Sequence, residues 1–234
     1  MPEIILTGPA GRLEARYHPA GTPGAPVALL MPPHPQYGGT MNHPLMHSMQ
    51  RAFAAEGCSV LRFNFRGVGR SQGQYDRGEG ELGDAAAALD WLQSVNTTSR
   101  EIWVGGFAFG AWISMQLLMR RPEISSFVSV APPAHHYDFS FLAPCPSSGL
   151  IIHGGQDAQI PEISVARLVI KLGLQKDIRI DYRVIPQANH FFVDCMGELE
   201  KHISQYVREG ARKRVAREAP VREAAEVAAE VVAA

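Results

Sequence analysis

Apolar stretches rich in β-branched residues alternate along the chain with segments in which apolar residues recur at helical spacing. This alternation is typical of a mostly parallel sheet covered by helices, so the sequence predicts an α/β fold. Eight strands are predicted, near residues 4–6, 13–17, 27–31, 60–65, 102–105, 127–131, 150–153 and 178–185. Five helices are predicted between or after them, at about 42–56, 81–94, 109–120, 161–172 and 194–208.

The connections refine this picture. A short Gly/Pro turn joins the first two strands, so we expect them to pair antiparallel at one edge of the sheet. The segment between the sixth strand and Leu150 has roughly eighteen residues, too few for a separate cap domain. The sequence therefore predicts an eight-stranded, mostly parallel sheet with an open active face.

The composition changes near the C-terminus. We predict one domain over residues 1–209, followed by a tail over 210–234 that is first basic and then rich in Ala, Glu and Val. Several apolar residues of the tail fall at helical spacing, so it could form an amphipathic helix that docks on a partner or on the domain. Disorder is the alternative, because its small side chains would bury little area.

Charge and composition exclude several classes of protein. The net charge is −1 without a basic stripe, so nucleic acid is not an expected partner. The N-terminus lacks the cationic and then apolar pattern of a secretory signal, and a cytoplasmic location is expected. Residues 102–119 carry no charge, but glycines and polar residues interrupt them, which favours a buried strand and helix over a membrane span.

No metal or cofactor is predicted. Three cysteines without C-x-x-C spacing indicate neither a disulfide framework nor a zinc knuckle, and buried thiols are expected. His43 and His47 are four residues apart but lack the intervening glutamate of a zinc-protease helix. The glycines of GGFAFG have the wrong spacing for a dinucleotide-binding loop.

The stretch GGFAFGAW, residues 105–112, carries the first chemical signal. A strand that ends in glycine, followed by x-x-x-Gly at the start of a helix, predicts a tight turn that presents its central residue, Ala108, at the top of the sheet. Gly106 and Gly110 are expected where a β-carbon would collide with the packed strand or helix. The N–H of Phe109, at the start of the helix, would favour a developing anion.

Two later loops complete a catalytic pattern. Asp157 follows the seventh strand in IIHGGQDAQIP, and His190 follows the eighth in VIPQANHFF. An imidazole takes the proton of a nucleophile, and a carboxylate orients the imidazole and stabilises its cation. The order nucleophile, acid, base is the order that this architecture uses.

The loop after the third strand, MPPHPQYGGTM, is expected to supply a second oxyanion N–H, from Gln36 or alternatively from Tyr37, while His34 is expected to be structural. Aromatic and apolar residues in these loops predict a largely apolar mouth. The predicted substrate-binding residues are Tyr37, Met41, Trp112, His135, Tyr137 and Phe191.

Together, HPQYGGTM, NFRGVGRSQG, GFAFGA, GGQDAQIP and ANHFF resemble the α/β-hydrolase family. Over residues 25–207 the chain is similar to small cap-less bacterial hydrolases of the dienelactone-hydrolase and serine-esterase kind. The resemblance implies hydrolysis of carboxylic esters or related acyl compounds by a Ser-His-Asp mechanism. The expected partner is therefore a small ester or acyl substrate, and homodimerisation is left open.

The departure from the family is Ala108, which stands where members carry Ser or, in some cases, Cys. Either a natural serine has been replaced, or the protein is a natural non-catalytic relative that binds a partner. We favour the first interpretation, because a chain freed from catalysis has no chemical reason to retain Asp157, His190 and both oxyanion loops. An amidase or peptidase with the same machinery is a further alternative. With alanine at this position, we expect little or no activity.

Overall fold

Eight strands form one sheet in the computed structural model of the protein, which describes residues 3–210. The α/β fold with a mostly parallel sheet is thereby confirmed. The order across the sheet is β1-β2-β4-β3-β5-β6-β7-β8. The strands are β1 (Glu3–Gly8), β2 (Gly11–His18), β3 (Val27–Met31), β4 (Ser59–Phe63), β5 (Ile102–Phe107), β6 (Ile124–Val130), β7 (Gly149–Gly154) and β8 (Ile180–Ile185).

Among the described strands, β2 alone runs against the others. It pairs antiparallel with β1 on one side and with β4 on the other, whereas all remaining neighbours pair parallel. The pairing of Gly8 with Gly11 closes the tight turn between β1 and β2. The predicted antiparallel edge is therefore confirmed, and the carboxyl ends of the parallel strands meet on one side of the sheet.

Five helices and one 3-10 turn connect or follow the strands. They are the turn Pro35–Tyr37, α1 (Pro44–Ala55), α2 (Glu79–Ser94), α3 (Phe109–Arg120), α4 (Glu162–Gly173) and α5 (196–210). The apolar face of α1 is buried, as its helical spacing predicts. Ion pairs tie α5 to α1, from Arg51 to Glu200 and from Arg208 to Glu56 at the end of α1.

Some predicted boundaries shift, for physical reasons. Strand β4 ends at Phe63, although the apolar pattern continues to Phe65. The Phe65 ring is fully buried below the following loop, where it packs edge-on against Phe63 and Phe109. Helix α2 begins earlier than predicted because the N–H of Gly78 donates to the Glu81 carboxylate at 2.7 Å and caps the first turn.

The connections determine what covers the active edge. Residues 131–148, between β6 and β7, contain neither helix nor strand, which agrees with the prediction of a fold without a cap domain.

The predicted tail, from residue 211 onward, lies outside the residues that the structure describes. The three cysteines are buried, as expected. Within residues 3–210, no helix combines the length and the apolar character that crossing a bilayer requires.

Candidate active site

The turn between β5 and α3 places Ala108 at the carboxyl edge of the sheet. Its backbone has φ 49° and ψ −114°, a conformation that costs a non-glycine residue about 1–3 kcal/mol. The N–H of Ala108 donates to the carbonyl oxygen of Val130 on β6 at 2.9 Å, which fixes the turn against the neighbouring strand. The side chain is only partly buried, beside the first turn of α3.

Close packing explains the two glycines that flank Ala108. A β-carbon on Gly106 would lie 2.2 Å from the carbonyl carbon of Gly110. One on Gly110 would lie 2.1 Å from the carbonyl oxygen of Met31 and 2.4 Å from that of Pro32. The turn therefore presses the start of α3 directly against the end of β3 and the loop that follows it.

Asp157 and His190, which the sequence places far apart, are brought together by two neighbouring loops. The Nδ1–H of His190 donates to Oδ2 of Asp157 at 2.8 Å. The loops are held together by backbone bonds, from Gln156 N–H to the Ala188 oxygen at 2.9 Å and from Gly155 N–H to the Ile185 oxygen at 2.8 Å. The predicted acid and base therefore form a hydrogen-bonded dyad.

Hydrogen bonds favour the ionised form of Asp157 and fix the orientation of the His190 ring. Burial opposes ionisation of Asp157, whose side chain is 0% exposed, but hydrogen bonds from His190 and the backbone outweigh it and lower the pKa of Asp157. Its Oδ1 accepts from the N–H groups of Gln159 and Ile160, both at 2.8 Å. Because Nδ1 of His190 donates to a carboxylate, Nε2 is left as the basic nitrogen.

Aromatic contacts place the dyad beside the turn. The ring of Phe107, which directly precedes Ala108, lies 5.0 Å from the His190 ring between centroids. Phe191 contacts both of these rings, at 6.4 Å and 5.0 Å. His190 itself keeps 10% side-chain exposure, so its imidazole borders solvent at the carboxyl edge. A hydroxyl at position 108 would stand on the same edge as this base.

In the loop after β3, the two N–H groups predicted as oxyanion donors already have hydrogen-bond acceptors, and a different N–H is without one in the described part of the chain. The N–H of Gln36 donates to Nδ1 of His34 at 3.2 Å, and the N–H of Tyr37 donates to the His34 oxygen at 3.1 Å. Both predicted donors are therefore engaged within the loop. Pro32, Pro33 and Pro35 have no N–H, so within residues 32–37 the N–H of His34 alone lacks a partner among the described residues.

The N–H of Phe109 also has no hydrogen-bond acceptor among residues 3–210, as expected for the first residue of a helix. Its ring lies 4.8 Å from that of His34. Five rings gather here, and we call them the Phe109 cluster: His34, Tyr75, Phe109, Trp112 and Tyr137.

The predicted mouth residues lie in different surroundings. Tyr37 is 85% exposed and Phe191 is 44% exposed, and His135 also lies on the surface. Trp112 and Tyr137 are half-buried and stack at 4.3 Å, with the Trp112 indole N–H donating to the Asp138 oxygen at 3.0 Å.

Met41 was predicted to bind substrate, but the structure buries it. Its side chain is fully buried, its N–H donates to Oδ1 of Asn64 at 2.7 Å, and its oxygen accepts from the Arg62 guanidinium. A residue that is held in this way does not face a substrate. Its apolar character, taken from the sequence as a sign of an apolar mouth, reflects burial below the loop instead.

The sequence placed His43 beside the pocket, as a polar residue of the first turn of a helix, but it did not single out two other residues near the site, Tyr75 and His153. Tyr75 follows β4, and its hydroxyl contacts Nε2 of His34 at 3.2 Å. His43 packs its ring against Phe107 and Phe191, while burial and the nearby His190 lower the pKa of His43. Tyr75 stands in a loop that follows a parallel strand, so the rule that carboxyl ends of parallel strands meet at one edge could have found it.

The second missed residue is His153, at the end of β7. It is fully buried, and its Nε2 lies 3.1 Å from the Ile160 carbonyl oxygen, to which it can donate. Ile160 in turn donates its N–H to Asp157, so His153 stabilises the loop that carries Asp157. Burial lowers the pKa of His153, which favours the neutral ring.

Known proteins resemble this chain over most of its length. Residues 12–234 match the model of the X-Pro dipeptidyl-peptidase (S15) family. An uncharacterized protein of Rickettsia prowazekii is 48% identical over 211 residues, which cover 88% of this chain and 89% of that protein.

Solved structures agree. A protein of unknown function from Agrobacterium tumefaciens, described as an α/β hydrolase, is 54% identical with a TM-score of 0.88, covering 91% of this chain and 97% of that one. An α/β serine hydrolase without a lid from Xanthomonas campestris is 29% identical with a TM-score of 0.79, covering 89% and 94%.

Proposed function

Because the chain belongs to the X-Pro dipeptidyl-peptidase (S15) family of α/β hydrolases, we propose that it carries the machinery of a serine hydrolase acting on carboxylic esters or related acyl compounds. In this proposal Ala108 occupies the nucleophile position, and the chain as it stands has little or no activity. The observation that carries the proposal is the 2.8 Å bond between His190 and Asp157, on the edge where the strained turn presents residue 108.

With serine at position 108, the reaction follows from the geometry. Nε2 of His190 takes the hydroxyl proton as the oxygen attacks the acyl carbon, and gives the proton to the leaving group as the original acyl bond breaks. Water, deprotonated by the same Nε2, then attacks the acyl-serine ester, and His190 returns the proton to the serine oxygen as the acid is released. The buried Asp157 carboxylate stabilises the imidazolium that forms between these steps. The N–H groups of Phe109 and His34 would stabilise the tetrahedral oxyanion, with His34 replacing the sequence-based choice of Gln36 or Tyr37.

The test is to install the missing hydroxyl. The Ala108→Ser variant is expected to hydrolyse a p-nitrophenyl ester panel and to be labelled by a fluorophosphonate, whereas the original chain should do neither. The matched control is Ala134→Ser, which adds a hydroxyl to a half-buried alanine in a neighbouring loop and should remain inactive. A folded Ala108→Ser protein that neither turns over nor labels would contradict the proposal.

Two observations each favour a second function. The family description favours cleavage of amide bonds, because its named activity is that of a peptidase. Matched ester and amide substrates of one acyl group, given to the Ala108→Ser variant, separate this activity from ester hydrolysis.

The presence of Ala108 itself favours a natural binding protein on the same scaffold. This alternative gains support if the folded Ala108→Ser variant shows neither turnover nor labelling.

A further inference from the structure

Two consecutive hydrogen bonds connect the loop after β3 to the loop after β4. Nδ1 of His34 accepts from the Gln36 N–H at 3.2 Å, so the proton of the neutral ring must sit on Nε2. That Nε2–H then donates to the Tyr75 hydroxyl oxygen, 3.2 Å away. The two contacts together fix both the orientation and the tautomer of the His34 ring.

The loop that carries Tyr75 is held by buried polar contacts on both sides of that residue. The next residue along, Asp76, donates its N–H to the carboxylate of Glu81 at 2.9 Å, and Glu81 is fully buried in the first turn of α2. Upstream in the same loop, Arg66 forms hydrogen bonds with the buried Asp84 at 2.8 Å and 3.0 Å. The Tyr75 hydroxyl is therefore an anchor on a rigid loop rather than a freely moving surface group.

The anchor lies where an oxyanion would form. The rings of His34 and Tyr75 lie 4.8 Å and 6.2 Å from the ring of Phe109, whose N–H is one of the two proposed oxyanion donors. The other is the backbone N–H of His34. Because Nδ1 of the His34 ring holds the Gln36 N–H of the same loop, a shift of the ring would displace the loop backbone and move one donor relative to the other.

We propose that Tyr75 is a positioning residue that, through His34, aligns the backbone N–H groups of His34 and Phe109 as a pair of donors for one oxyanion. This inference rests on the proposed function. It assigns a role in transition-state stabilisation to a residue that touches no reacting atom. Tyr137 supports the arrangement, because its hydroxyl interacts with that of Tyr75.

The electrostatic surroundings agree with this role. Burial, and to a smaller extent the neighbouring His136, lower the pKa of His34 and so favour its neutral ring. A protonated ring would carry a hydrogen on both nitrogens, and Nδ1–H would then face the Gln36 N–H, donor against donor. The loop geometry therefore requires the uncharged form.

The experiment compares two tyrosine-to-phenylalanine changes in the Ala108→Ser background. Tyr75→Phe should lower kcat by roughly 10- to 100-fold with little change in KM, because a misplaced donor weakens mainly the transition state. Active-site titration with a fluorophosphonate corrects for any unfolded fraction. The control is Tyr17→Phe, which removes a hydroxyl bonded to Asn96 at 2.9 Å outside the site and should leave kcat and KM unchanged.

The outcomes separate the two proposals. If the Ala108→Ser parent does not hydrolyse esters, the proposed function fails. If the parent is active and the added Tyr75→Phe change leaves kcat within two-fold of the parent value, only the positioning role of Tyr75 fails. Nitrogen NMR of the original chain provides a second measurement. A neutral His34 ring protonated at Nε2 is expected at pH 7, and a ring protonated at Nδ1 or at both nitrogens would overturn the inference.

Discussion

The two sides of the β5–α3 turn are built from different interactions. On one side, Asp157 and His190 form a charge-assisted hydrogen bond supported by backbone N–H groups. On the other side, the Phe109 cluster packs five rings around the start of α3, and a hydrogen bond joins His34 to Tyr75. In the proposed mechanism, the first side controls where a proton resides, and the second controls where backbone donors point.

The difference indicates how each side should respond to mutation. A proton carrier cannot be replaced by a group of similar shape, because its function depends on its pKa and on which nitrogen is basic. A positioning cluster tolerates partial loss, since several contacts share the task. We therefore expect large effects on rate on the dyad side and graded effects on the cluster side.

The largest effect is expected from His190→Gln in the Ala108→Ser background. Loss of the base should lower kcat by about 10⁶-fold, because a catalytic triad without its base retains only binding and oxyanion stabilisation. Ester hydrolysis measures the loss. His18→Gln is the control, since His18 pairs with Val60 near the opposite edge of the sheet and should leave the rate unchanged. A His190→Gln rate within ten-fold of the parent would show that another group acts as the base.

Asp157→Asn should come next, with a loss of about 10⁴-fold in kcat, because an amide no longer holds the productive tautomer of His190. The same change tests the pKa of Asp157, which is lowered in the folded state. Such a carboxylate stabilises the fold above its unfolded pKa, and that stabilisation is lost as the pH falls through the folded pKa.

Urea unfolding between pH 2 and pH 7 measures this second effect. The original chain should lose stability on acidification more steeply than the Asp157→Asn variant. Equal slopes would mean that Asp157 contributes nothing to the acid sensitivity of the fold, and that its hydrogen bonds do not favour the ionised form.

The smallest expected effect lies at the turn itself, between the two sides. Ala108→Gly should raise the free energy of unfolding by about 1 kcal/mol, since relief of a strained backbone outweighs the extra flexibility of glycine in the unfolded chain. Ala87→Gly, in the regular helix α2, should instead lower it by about 0.5–1 kcal/mol. Thermal or urea unfolding distinguishes the signs, and a loss at both positions would argue against strain at residue 108.

The sequence by itself determined the sheet, the helices and the loops that carry Asp157 and His190. Burial and strand-to-helix alternation are local patterns, and the carboxyl ends of parallel strands must meet at one edge. The boundary of β4 escaped this reasoning because Phe65 is buried without being part of the strand. Hydrophobicity reports burial, not backbone pairing.

Only the tertiary structure decided which groups contact one another at that edge. Gln36 and Tyr37 were reasonable oxyanion donors by position, yet hydrogen bonds back to His34 occupy both N–H groups. Met41 is buried although it follows a surface loop, and Tyr75 reaches His34 from a loop 41 residues away in the chain. These outcomes depend on hydrogen-bond directions and on packing between distant segments, which no local pattern of residue types encodes.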